Sequence, residues 1–91
     1  MSEISPELYS VEAEQSLLGA MMLNPDCIVE VAAKLTGDEF FRHDHREIYR
    51  ACIDLEAQKV RVDLLTVCNA IGKEKIVYLG ELARNCVAMQ N

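Results

Sequence analysis

The chain has no glycine-rich phosphate loop, no closely spaced cysteine pair, no long apolar run and few basic side chains. Each shortage removes a class of function. Its one Gly-Lys pair is Gly72-Lys73, but Val67 stands where a phosphate loop needs its first glycine and Glu74 replaces the metal-binding hydroxyl, so backbone amides cannot cradle a nucleotide there. The four cysteines, Cys27, Cys52, Cys68 and Cys86, are too far apart in sequence for a CxxC redox pair or a zinc ribbon. No apolar stretch approaches the roughly eighteen residues of a membrane span, and the opening Met1-Ser2-Glu3-Ile4-Ser5-Pro6 has neither the basic start nor the apolar run of a secretory signal. Nine Lys and Arg against fifteen Asp and Glu leave a formal charge of −6, a field that repels a phosphate backbone and disfavours direct binding of duplex DNA. No stretch alternates apolar and polar residues well enough to read as a strand, and no internal repeat or low-complexity tract is present.

What remains is a chain of 91 residues, 51% apolar and 26% charged, which fits one ordinary globular core. Its periodicity is helical. Ser10 sits where an N-cap acceptor belongs, with Glu12 and Glu14 in the positive first turn of a helix from Val11 to about Leu23. Ala13, Leu17 and Met21, with Leu18 and Met22 beside them, form its apolar stripe. Gly19 inside that helix costs about 1 kcal/mol relative to alanine, a cost that a close helix crossing would justify. Asn24-Pro25 reads as a stop and restart. A second helix then runs to Lys34 or Leu35 on Ile28, Val31, Ala32 and Leu35, with Gly37 as the closing residue. Asp38-Glu39-Phe40-Phe41 reads as a turn with two aromatic anchors, after which Asp44 can cap a helix from His45 to about Ala57. His45, Ile48, Tyr49, Cys52 and Leu55 share one face of it, and Arg46, Glu47, Arg50 and Asp54 the other. Asp63 caps a fourth helix carrying Leu64, Val67, Cys68 and Ile71 and ending near Gly72. A fifth, from Ile76 to Arg84, buries Tyr78 or Leu79 together with Leu82 and Ala83. The fold class is all-α, a single compact bundle of five to six short helices over residues 10–91, preceded by a flexible arm over residues 1–9. Cysteines on or beside apolar helical positions read as reduced core thiols of a cytoplasmic protein.

Candidate chemistry is sparse. His43-Asp44-His45 is the one cluster resembling a metal site, and a metal-dependent hydrolase using His43 and His45 is the enzyme alternative. A cap at Asp44 would turn His45 inward and leave His43 outside, so that the rings diverge. Arg42, Arg46 and Arg50 recur every four residues as a basic row, either a contact for an acidic partner helix or a solvated face balanced by Glu47 and Asp54.

Four segments then read together: Ser10-Val11-Glu12-Ala13-Glu14-Gln15-Ser16-Leu17-Leu18-Gly19; Phe40-Phe41 with His45-Arg46-Glu47-Ile48-Tyr49; Val62-Asp63-Leu64-Leu65-Thr66; and Tyr78-Leu79-Gly80-Glu81-Leu82-Ala83. In that order they resemble the N-terminal domain of DnaB-type replicative DNA helicases over roughly residues 6 to 91, the first segment being the most specific. The resemblance implies a helical head on one tier of a hexameric ring, with the ATP-driven motor in the other tier. This domain then has no cofactor of its own, ATP and Mg²⁺ belonging to the missing motor. Its implied partners are other copies of the same domain, primase and a helicase loader, in DNA replication and within the primosome. Family positions implicated in the response to primase match Glu12 and Tyr78. On the residues alone, Glu12 complements a helix N-terminus and Tyr78 packs with its hydroxyl at the surface.

Two departures stand out. The connection Lys73 to Ile76 is short and lacks the glycines usual before the Tyr-Leu helix, as in a divergent phage or plasmid member, and the chain stops before the helical hairpin that pairs neighbouring heads, which weakens self-association. The expected function is non-catalytic assembly and partner binding. The alternative is a free-standing helicase-binding adaptor, like the C-terminal domain of primase or a phage mimic.

Overall fold

The computed structural model describes residues 10–89, with side chains as far as Cys86; the proposed arm over residues 1–9 lies outside the described residues. Among these the architecture is all-α. Helix α1 spans Val11–Leu23, a 3₁₀ turn follows at Pro25–Cys27, and α2 is Ile28–Ala32. Then come α3 (His43–Ala57), α4 (Leu64–Ile71), a second 3₁₀ turn at Lys73–Lys75 and α5 (Ile76–Met89).

Local chemistry sets most boundaries. Ser10 caps α1, its Oγ accepting the Ala13 amide at 3.0 Å. Asp63 and Thr66 form a reciprocal capping box on α4, and Gly72 ends that helix at φ +127°. At the C-terminus of α3 the left-handed position is taken by Lys59, at φ 63°. The Val60 amide reaches the Leu55 carbonyl and the Lys59 amide that of Glu56, a Schellman closure.

Three boundaries depart from the sequence reading. Helix α3 begins at His43, with Arg42 as its cap residue; Asp44 lies inside the first turn, where its carboxylate takes the Arg42 side chain and does not cap. The second helix is broken into a 3₁₀ turn and five α residues, because proline at its first position starts a tight turn and the Asn24 side chain makes no cap bond. The chain from Thr36 to Glu39 is instead knotted by the Glu39 carboxylate, which accepts the Thr36 and Gly37 amides. Helix α5 runs on past Arg84 to Met89.

The core gathers Leu18, Met21 and Met22 of α1, Ile28, Phe40, Ile48, Tyr49 and Cys52 of the middle segment, Val62 and Val67 around α4, and Leu79 and Leu82 of α5. Tyr49 spends its hydroxyl on the Leu35 carbonyl at 2.7 Å, which ties α3 to the end of the α2 segment. No disulfide joins the cysteines among the described residues, and burial pushes the Cys52 thiol up to about 12, as a core thiol requires.

Helix α1 crosses α5 in the most extensive helix pairing among the described residues. Gly19 sits in it. A Cβ there would lie 2.5 Å from the Leu82 carbonyl oxygen and 2.8 Å from Cys86 Cβ. Gln15 touches Tyr78 while Gly19 faces Leu82 and Cys86, so the two helices run parallel and their N-terminal ends lie together.

Candidate partner-binding site

Helices α1, α3 and α5 bring their first turns to one end of the bundle, joined there by buried polar side chains. Glu14 of α1 and His45 of α3 are both 0% exposed. The Glu14 carboxylate accepts the Phe41 amide at 2.6 Å through Oε2, and the Arg42 amide at 3.5 Å through Oε1. His45 Nδ1 lies 2.7 Å from Glu14 Oε1. An ionised carboxylate can only accept, so Nδ1 carries the proton and donates. On the other side of the ring, Nε2 is 2.5 Å from the Tyr78 hydroxyl of α5. Gln15 Nε2 donates to that same hydroxyl oxygen at 3.2 Å, which leaves the phenolic proton free to point at His45 Nε2.

The chain of bonds therefore runs Phe41 N–H to Glu14, His45 to Glu14 and Tyr78 to His45. No buried side-chain nitrogen or oxygen among the described residues lacks a partner, which is the condition for a buried polar cluster to stabilise rather than weaken a core. Burial pushes the Glu14 carboxyl up, but the Phe41 amide, the His45 side chain and the Arg42 amide together outweigh it and hold the group below its ordinary range.

The surface above this cluster is organised by Arg42. Its guanidinium bonds both Asp44 oxygens, from Nε at 3.0 Å and from Nη2 at 2.5 Å, and lies 5.1 Å over the centre of the Tyr78 ring. The His45 and Tyr78 rings are nearly coplanar in orientation, 11° apart with centres at 5.9 Å. Burial opposes ionisation of Asp44, and the Arg42 hydrogen bond and charge overcome it, holding that carboxyl below the usual carboxylate range.

The structure sorts the residues singled out in the sequence. Tyr78 is half-buried, with its hydroxyl turned inward onto His45 and Gln15 rather than outward into solvent. Glu12 is exposed one turn before Gln15, so both predicted partner-binding residues stand at the same end of adjacent helices. His43 and His45 diverge as anticipated: the first is a surface side chain 3.4 Å from Glu47, the second fully enclosed. The basic row is not a free strip. Arg42 is taken by Asp44, Arg46 Nε donates to the Phe40 carbonyl at 2.7 Å, and Arg50 reaches Asp38 at 3.1 Å rather than Asp54. Only one of the two aromatic anchors enters the core, for Phe40 is fully buried while Phe41 is 80% exposed.

The sequence reading missed Glu14, treating it as a carboxylate facing a helix dipole. The signal was there, since Glu14 lies four residues before Leu18 and seven before Met21, on the buried stripe, and His45 lies on the buried stripe of its own helix.

With this geometry in place, comparison with known proteins is decisive. The family model described as "DnaB-like helicase N terminal domain" matches residues 6–91. The chain belongs to that family. Among similar relatives, the replicative DNA helicase DnaB of Rhodothermus marinus is 34% identical over 89 residues, covering 90% of this chain and 10% of the relative. The protein named replicative DNA helicase DnaB in Geobacillus stearothermophilus is 33% identical over 93 residues, covering 91% and 20%. The one named replicative DNA helicase DnaC in Bacillus subtilis is 30% identical, covering 90% and 20%. The chain thus spans between a tenth and a fifth of these relatives' lengths.

Proposed function

We propose that this domain is the non-catalytic head of a replicative DNA helicase, an assembly and partner-binding module whose parent protein carries the ATP- and Mg²⁺-dependent motor elsewhere. The observation that carries the reading is the parallel pairing of α1 with α5, which sets Glu12 and Tyr78 at one end of the bundle in a chain of this family. Partner contacts favour rigid aromatic residues in ordered surroundings, and Tyr78 is such a residue. Phe41, 80% exposed, and Val77, 69% exposed, are chain neighbours of Arg42 and Tyr78 and supply apolar area near them.

In this reading the domain packs beside other copies of itself in a hexameric ring, in the cytoplasm, and answers to primase and to a helicase loader. The enclosed Glu14–His45 pair supports a structural role for the only histidine with a buried carboxylate partner, since both ring nitrogens are occupied within the protein. The formal charge of −6 supports binding of proteins over direct binding of duplex DNA.

The test is a pull-down of the cognate primase by the 91-residue chain and by its Tyr78→Ala variant, with ATPase turnover measured on the same preparations. Primase retained by the parent chain and lost with Tyr78→Ala, without ATP turnover, is the expected outcome. Turnover at stoichiometric protein, or equal retention by both chains, contradicts it.

A further inference from the structure

Tyr78 is held from three directions. His45 Nε2 takes its hydroxyl at 2.5 Å, Gln15 Nε2 donates to the hydroxyl oxygen at 3.2 Å, and the Arg42 guanidinium covers the ring face at 5.1 Å. Two of these three holders are themselves held by one buried group. Glu14 fixes His45 through Nδ1 at 2.7 Å and accepts the main-chain amides of Phe41 and Arg42. Asp44 then fixes the Arg42 side chain.

A tyrosine on a helix surface ordinarily samples more than one rotamer, and ordering a side chain on association weakens binding by about two- to tenfold. Here three contacts already restrict the ring in the absence of a partner. Cohesion requires a partner for the enclosed Nε2 of His45 and for both Glu14 oxygens. The partners used are the hydroxyl of a half-buried tyrosine and the amides of the segment that carries Arg42, so the bonds that satisfy the core also orient groups at the surface.

We propose that Glu14 and His45 are positioning residues for partner binding, fixing the Tyr78 ring through its hydroxyl, and the Arg42 cap through its main chain, in the orientation that a partner engages. The inference rests on the partner-binding reading given above, with primase as the partner. It adds that affinity for primase is set partly by two side chains that never touch it. The His45 arm of this coupling runs through one atom, the Tyr78 oxygen, and that makes it separable from a loss of stability.

The experiment is a double-mutant cycle on the 91-residue chain: the parent, His45→Gln, Tyr78→Phe and the double variant. The dissociation constant for cognate primase is measured by calorimetry well below the lowest melting temperature of the set. Each single change is expected to weaken binding about two- to tenfold, and the double variant no further than either alone, because both cut the same tether. Equal weakening by His45→Gln in the parent and in the Tyr78→Phe background overturns the proposal, as does an unchanged dissociation constant. If His45→Gln does not fold, Tyr78→Phe alone decides: it keeps the ring and removes the tether, so binding as tight as the parent's overturns the inference. Failure of the parent chain to bind primase removes the partner-binding reading, and this inference with it. An additive cycle in a chain that does bind removes the inference alone.

Discussion

A carboxylate taken wholly out of water costs several kcal/mol unless its oxygens are engaged, and at Glu14 both oxygens accept hydrogen bonds. The group is held below its ordinary range, so its folded-state pKa lies below the unfolded value. Its contribution is therefore fully present above that unfolded value and is lost as pH falls through the folded one. Glu39, Asp44 and Asp63 are shifted in the same direction, and the domain should lose stability in acid below about pH 4. Glu14→Gln should cost about 1–3 kcal/mol at neutral pH, because an amide offers only one acceptor and must either face a donor or reverse the His45 tautomer and the Tyr78 bond. Melting curves from pH 7 to pH 3 check both statements: the gap between parent and variant should shrink as the solution becomes acid, and a gap that widens there contradicts the assignment. Much at this scale was legible in sequence, including Ser10, Asp63 and the divergence of His43 from His45. Glu14 was not, because a carboxylate in a first turn has a solvent-facing explanation available, and only a histidine 31 residues away supplies the other one.

Helix existence follows from apolar spacing, and all five helices stand where that spacing puts them. Their ends follow from individual bonds. Asp44 has the composition of a cap residue, yet Arg42 two residues earlier claims its carboxylate, and α3 starts at His43 accordingly. The second helix shortened because the Thr36–Glu39 knot and the Leu35–Tyr49 bond are tertiary and turn interactions that periodicity does not encode. Gly19 and Gly80 make a controlled pair for the α1–α5 crossing. Both lie within helices, where alanine is intrinsically better by about 0.5–1 kcal/mol. A Cβ at Gly19 meets the Leu82 carbonyl at 2.5 Å, whereas at Gly80 nothing lies within 4 Å. Gly80→Ala should raise the melting temperature, and Gly19→Ala should lower stability by about 1–3 kcal/mol through forced separation of the helices. Thermal melts of the two variants read this directly, and stabilisation by both would mean that the crossing is looser than described.

For the molecule as a whole, the core is one cluster shared by all five α-helices and the segments between them. Ile48, 1% exposed at its centre, is the position where an unpaired carboxylate does most damage. Ile48→Asp should cost more than about 4 kcal/mol, leaving little or no folded protein by circular dichroism. The all-α class and the family were both legible before any coordinates, the first from periodicity and the second from four ordered segments. The proposed partner-binding end was only half legible. Tyr78 and Glu12 came from resemblance, and no local pattern announces that residues 63 positions apart, Gln15 and Tyr78, meet on parallel helices. The central claim is that this end, where α1, α3 and α5 begin, is the surface that engages a partner. Backbone amide NMR of the ¹⁵N-labelled chain during titration with cognate primase tests it most directly. The account predicts shifts concentrated at Glu12, Gln15, Phe41, Arg42, Val77 and Tyr78. Shifts concentrated instead along the cleft between α3 and α4, at Ala51, Asp54, Ala70 and Ile71, would contradict it.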